Sequence, residues 1–135
     1  MVFANGQIVL VDWGCAAKMG EESGWAGSVG TIDADTFSAM RSKKDVVRTA
    51  AIDLHCLLCT CLLLKLPVEF QYYVSVLTTS GNLRTLLGGL WETIFFFTKA
   101  KDAVQFASKG NYDELLAELE KLIAADYGFL QFWQL

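Results

Sequence analysis

Asp12 closes the apolar run Ile8-Val9-Leu10-Val11 and is followed at once by Trp13 and Gly14. A carboxylate at the mouth of a rigid strand offers oxygen ligands to a hard cation, and a glycine just after it lets the chain turn sharply away. Taken alone, a Val-Asp-x-Gly string equally describes a strand that ends in a turn. A second carboxylate, Asp53, stands directly ahead of the apolar run Leu54 to Leu66, which is interrupted at His55 and Lys65. A charge heading so apolar a helix either accepts backbone hydrogen bonds from a neighbouring loop or simply meets the positive end of the helix dipole. Between the two acids, Gly30-Thr31 follows Gly14 by some 17 residues.

Three cysteines, Cys56, Cys59 and Cys61, lie beside His55, and a fourth, Cys15, stands apart. Thiolates and imidazole bind zinc tetrahedrally. On a helix, however, Cys56 and Cys59 share a face while Cys61 points well away, and no second Cys-x-x-Cys completes a four-ligand set. A redox pair would need an exposed helix start after a strand, where thiolate is stabilised. Reduced, buried thiols in an apolar helix are the expectation. The aromatic residues Trp91, Phe95, Phe96, Phe97, Phe129, Phe132 and Trp133 read as core in the main, with the tail from Phe129 to Leu135 unusually apolar for a chain end.

The elements that must position these groups begin with Val2-Phe3-Ala4-Asn5-Gly6-Gln7-Ile8-Val9-Leu10-Val11, where Asn-Gly between two β-prone runs predicts a hairpin. From Asp12 to Lys44 no helical or strand period is sustained and five glycines punctuate the sequence, so a long loop is expected. Thereafter everything reads as helix. Lys44 to Leu66 is stopped by Pro67; Val68 to Thr79 is followed by Gly81; a segment capped by Asn82 runs to about Lys99, bent or weakened at Gly88-Gly89. Ala100 to Ser108 is closed by Lys109-Gly110. Asn111 with Glu114 predicts a reciprocal cap on a last helix whose Leu115, Leu116, Leu119, Leu122 and Ile123 form one apolar stripe.

Composition bounds the function. A chain of 135 residues fits one domain, and 53% hydrophobic against 19% charged residues is far from the make-up of disordered chains. The formal charge is −4 and no basic cluster exists beyond Arg41, Lys43 and Lys44, which excludes a nucleic-acid partner. Met1 to Ala4 carries no secretory signal, and the run at residues 54–66 falls short of the roughly 20 residues a bilayer span needs. An intracellular protein, cytoplasmic or nuclear, with no membrane partner is expected.

In this order, a hairpin, an Asp-x-Gly, a long glycine-rich loop and a deeply apolar helix, the chain resembles the C-terminal lobe of a protein kinase catalytic domain. Ile8-Val9-Leu10-Val11-Asp12-Trp13-Gly14 looks like the family's strand leading into Asp-Phe-Gly, with tryptophan for phenylalanine. Gly30-Thr31 resembles the Gly-Thr of the activation segment, although Phe37-Ser38-Ala39-Met40 stands where an Ala-Pro-Glu would follow. Asp53 matches the aspartate ahead of the family's central helix. Ala100 to Leu116 is similar to the closing helices of divergent kinase-like domains, including those of Crinkler-type effector proteins.

The resemblance implies a mainly α fold with a small N-terminal β-hairpin, an incomplete kinase C-lobe spanning 1–135: hairpin at 1–11, activation-segment-like loop at 12–43, helical subdomain at 44–128. It implies that Asp12 holds the Mg²⁺ that bridges ATP phosphates, that Asp12 and Gly14 border the nucleotide, and that Asp53 is buried under backbone donors of a catalytic loop. The glycine-rich loop, strand lysine, partner glutamate and His-Arg-Asp loop would all lie before Met1. The expectation is therefore phosphoryl transfer to protein hydroxyls only in a completed domain, with no cofactor and no catalytic residue in the isolated chain. The alternative is a non-catalytic helical interaction module that binds another protein or its own copy.

Overall fold

The computed structural model describes residues 2–10, 13–24 and 30–125. It opens with the expected hairpin: β1 (Val2–Ala4) pairs antiparallel with β2 (Gln7–Val9), Val2 opposite Val9 and Ala4 opposite Gln7. Asn5 and Gly6 both take positive φ, 52° and 75°, as a two-residue turn matched to the strand twist requires. Past the hairpin, Trp13–Cys15 form a short 3₁₀ turn.

The stretch read from sequence as a continuous loop holds more order than its pattern announces. β3 (Glu22–Ser23) pairs antiparallel with β4 (Val46–Val47), and between them lies α1 (Ala34–Arg41). Asp33 starts α1: its carboxylate accepts from the Thr36 backbone N–H at 3.0 Å and from the Thr36 hydroxyl at 2.7 Å. The local cap, rather than an apolar stripe, makes this helix, which is why periodicity missed it. Arg48 ties the small sheet to the preceding segment, donating from Nε to the Ser23 hydroxyl and from Nη2 to the Gly24 carbonyl.

α2 (Ala50–Lys65) starts six residues later than the sequence suggested, because Val46 and Val47 are spent on the β3–β4 pair. Leu66 and Pro67 end it, and the Gln71 side chain donates to the Leu66 carbonyl at 2.8 Å. α3 (Val68–Thr79) stops before Gly81, whose φ of 76° only glycine adopts readily. α4 (Leu83–Thr85) passes through a π-helical turn at Leu86–Leu90, around Gly88-Gly89, into α5 (Trp91–Phe97). The glycine pair thus bends the segment by widening one turn.

α6 (Lys101–Ser108) and α7 (Tyr112–Ala124) complete the fold. The reciprocal cap expected from Asn111 and Glu114 does not form. Asn111 sits at φ −83°, ψ 85° with no side-chain capping bond, and the first turn of α7 is held by its backbone. Of the α7 stripe, Leu115, Leu119 and Leu122 are buried, while Leu116 and Ile123 face solvent.

α2 lies at the centre, packed against α6 and α7. Leu58 and Cys59 are completely buried, and Leu62, Phe70, Val74, Leu86, Ile94, Ala107 and Leu115 continue the same core. Among the described residues no helix is long and apolar enough to cross a membrane.

The N-terminal segment is pinned to this helical body at Gly30. The Trp91 indole N–H donates to the Gly30 carbonyl at 2.9 Å in a buried setting. A Cβ at Gly30 would stand 2.8 Å from the Thr78 hydroxyl, which is itself held by a bond to the Val74 carbonyl. A β-branched side chain so restrained gives little. Gly30→Ala is therefore expected to cost about 1–3 kcal/mol by urea denaturation and to lose most of that cost in a Thr78→Ala background. An equal cost in both backgrounds would show that the close approach is not what Gly30 is for.

Candidate functional site

Of the residues with an expected chemical role, Asp12 lies outside the described residues. The flanking elements are described: β2 runs toward it, and Trp13, Gly14 and Cys15 continue from it in an exposed 3₁₀ turn. Thr31 is brought onto α2, and Gly30 against α3 and α5. Gly30 is buried beneath Trp91 and Thr78, and the half-buried Thr31 hydroxyl meets the Cys56 thiol.

Asp53 sits in the first turn of α2, one turn before Cys56, and it is exposed. That is the position of an acid that meets a helix dipole. It differs from the burial that the resemblance implies, because nothing among the described residues lies over it. Within α2 only Asp53, Leu64 and Lys65 are exposed, and the last two belong to its final turn. The one open position on the first three turns of the most apolar helix is thus a carboxylate. Thr31 and Asp53 both act on Cys56, so the structure brings the Gly-Thr and the second acid to one end of α2.

The cysteines are free thiols and form no ligand set with His55. Among the described residues no three His, Cys, Asp or Glu side chains converge to hold a metal ion. Burial pushes the Cys56 thiol up to about 11, opposed by the hydrogen bond from Thr31 and reinforced by the charges of Asp53 and Asp33. Burial raises Cys59 further, with Cys56 and Asp33 adding to it, and raises Cys61 as well. Such thiols are protonated near neutral pH and are poor nucleophiles.

A feature that sequence reasoning did not find lies beside them. A cleft of about 520 Å³ opens between α1, β4, α2 and α6, and carries Asp33, Asp35, Asp45 and His55 on its walls. Nothing in the local sequence links these four residues; the capped helix α1 and the strand β4, neither of which the pattern announced, bring the aspartates to α2. Asp33 is already committed to capping α1. His55 borders both this cleft and an apolar hollow of about 200 Å³ lined by Ile32, Trp91 and Phe95. Its ring meets Phe95 edge-on, centroids 6.0 Å apart. Loss of hydration lowers the imidazole pKa, and the negative charge of Asp33 opposes that shift without cancelling it. The cleft therefore presents carboxylate acceptors beside a neutral imidazole.

No known protein family, curated protein or solved structure matches the chain. The reading of the site consequently rests on its residues and their placement.

A histidine whose folded-state pKa is lowered contributes stability above its unfolded pKa and loses it as pH falls, since the unfolded chain takes up the proton that the folded one resists. Stability should decline as pH drops from about 7 toward 5.5, through the ordinary histidine value near 6.5. His55→Gln should flatten that part of the profile, read by denaturant titration at several pH values. A slope unchanged by the substitution would mean that His55 is as hydrated folded as unfolded.

Proposed function

We propose that this chain forms the C-terminal lobe of a protein kinase-like domain, competent for ATP- and Mg²⁺-dependent phosphoryl transfer to protein hydroxyls only when completed by a nucleotide-binding front part. The observation that supports the reading is the meeting of Thr31 with Cys56 one turn beyond Asp53. A hairpin with a two-residue Asn5-Gly6 turn precedes Asp12 in the chain, Gly30 is clamped against α3 and α5, and Thr31 meets Cys56 on the helix that Asp53 heads.

In this reading Asp53 keeps its oxygens open because the backbone donors that would cover them belong to a catalytic loop outside this chain. Gly14 provides the turn away from the nucleotide. Asp12 contributes one carboxylate toward Mg²⁺, an ion that demands about six oxygen ligands in near-octahedral order. The donor set present here does not fit an ion by itself, and no step of transfer is assigned to it. Phosphoryl transfer depends on positioning, and the groups that orient the hydroxyl and hold the phosphates are not in this sequence. Its only histidine, His55, is followed by Cys56 within α2, so no His-Arg-Asp string exists.

A different observation favours a second reading, a non-catalytic helical interaction module. Large apolar side chains on α2 and α3, among them Leu64, Val68 and Tyr72, stand open to solvent. An open apolar face of this kind marks a contact surface more often than a finished exterior.

The enzyme reading is tested by joining the chain to the segment encoded directly upstream of Met1. Mg²⁺–ATP at a hundredfold excess over Kd should then raise Tm by on the order of 5 °C, and Asp12→Ala should remove the rise, while the chain alone turns over no ATP. Absence of a rise in the joined protein, or phosphorylation by the chain alone, would contradict it.

A further inference from the structure

The inward side of α3 is formed by Phe70, Val74 and Leu77, all buried. At 3.6 residues per turn the opposite side carries Val68, Tyr72 and Val76, with Ser75 and Thr79 beside them. Val68 is 74% exposed, Tyr72 71% and Val76 39%. Tyr73, packed edge-on against Phe70 at 6.2 Å, borders the stripe. Glu69 is the single charged residue in the twelve of α3. A surface helix normally sets charged residues on its outer face, and a helix apolar on both sides is normally covered on both. Among the described residues, α3 is covered on one.

The pattern of the outer stripe says what covers it. Val68, Tyr72 and Val76 are spaced four and four, with the tyrosine at the centre and a valine on each side. A second α3 laid antiparallel about a two-fold axis at Tyr72 places Val68 against the partner's Val76 and Val76 against the partner's Val68. Tyr72 meets the partner's Tyr72 on the axis, and Glu69 falls opposite the partner's Ser75, so no like charges face each other. Isologous contacts require a patch that complements itself, and this one does so residue by residue.

Tyrosine also suits such a centre, since its ring supplies contact area at little entropic cost and carries a hydroxyl that a partly wet rim satisfies. The stripe with its flanking Tyr73 leaves on the order of 500 Å² open, more than scattered exposed side chains amount to and a large part of the ~800 Å² each partner contributes to a standard interface. The polar rim of α3 and Leu64, in the last turn of α2, are available for the remainder.

We infer that the outer face of α3 is a homodimer interface, two copies of this chain packing antiparallel through Val68, Tyr72 and Val76 about an axis at Tyr72. This deepens the interaction reading and holds whether or not the chain also belongs to an ATP-handling domain.

The test is sedimentation velocity on the full chain across the micromolar range, with Tyr72→Glu and Leu116→Glu as paired variants. Both positions are exposed, so both variants are expected to keep the parent circular dichroism. The parent and Leu116→Glu should dimerise alike, and Tyr72→Glu should weaken association about tenfold or more. In a Cys15→Ser background, a short bismaleimide should link Tyr72→Cys to itself at least about tenfold faster than Val76→Cys, because only residue 72 meets its own copy across the axis. A dimer that persists unchanged in Tyr72→Glu overturns the proposed surface while leaving the interaction reading in place. A parent that stays monomeric throughout overturns the homodimer and leaves the interaction reading to a partner of another kind. Tyr72-dependent binding to vesicles or to another protein without self-association overturns the homodimer and assigns the face to that occupant.

Discussion

Helix α2 has apolar residues on every side, and a helix of that kind is stable only where neighbours cover it all round. Leu54, Leu58, Cys59 and Leu62 are buried, and the residues between them are mostly half-buried rather than open. α6 and α7 lie against it, and the bent segment from α4 to α5 contributes Leu86, Trp91 and Ile94 to the same core. Short helices such as α6 would be marginal alone, so their order derives from this shared burial rather than from their own propensity. The near-neutral interior also fixes the state of the groups within it: thiols stay protonated and the one imidazole resists its charge.

The same constraint determines where polar groups can be placed. The segment around Gly30 approaches the body so closely that only a hydrogen atom fits toward Thr78, and the Trp91 indole then satisfies its carbonyl in a buried setting. A buried carbonyl without that donor would lose on the order of 1–3 kcal/mol. By anchoring Gly30, the body positions Thr31 against Cys56 and Asp33 at the start of α1, and so builds one wall of the acidic cleft. The two features that suggest function, the clamped Gly-Thr and the exposed acid on α2, are thus products of the packing around a single helix.

How much of this was legible in the sequence follows from which signals are local. The Asn5-Gly6 turn, the stop at Pro67, the limits of α3 and the disturbance at Gly88-Gly89 depend on residues next to one another, and each is found where those residues place it. α1 was not legible because a single capping carboxylate replaces the apolar period. β3 and β4 were not, because two-residue strands more than twenty positions apart pair through Arg48 and the backbone rather than through a pattern. The Asn111–Glu114 cap was signalled but not made, and Leu116 and Ile123 were counted into a stripe wider than the core that receives it. Of the site, Thr31 and Asp53 could be singled out by type and spacing, but their meeting at Cys56 and the cleft around His55 are tertiary facts.

If α2 is the element on which all others depend, its central amides should open only when the whole molecule unfolds. Native-state hydrogen exchange at increasing low denaturant measures this directly. The amides of Leu58, Cys59 and Leu62 should exchange with the free energy and denaturant dependence of global unfolding, and those of α1 and α3 by smaller openings. Amides of α2 that exchange through a local opening while α6 and α7 remain protected would contradict the account.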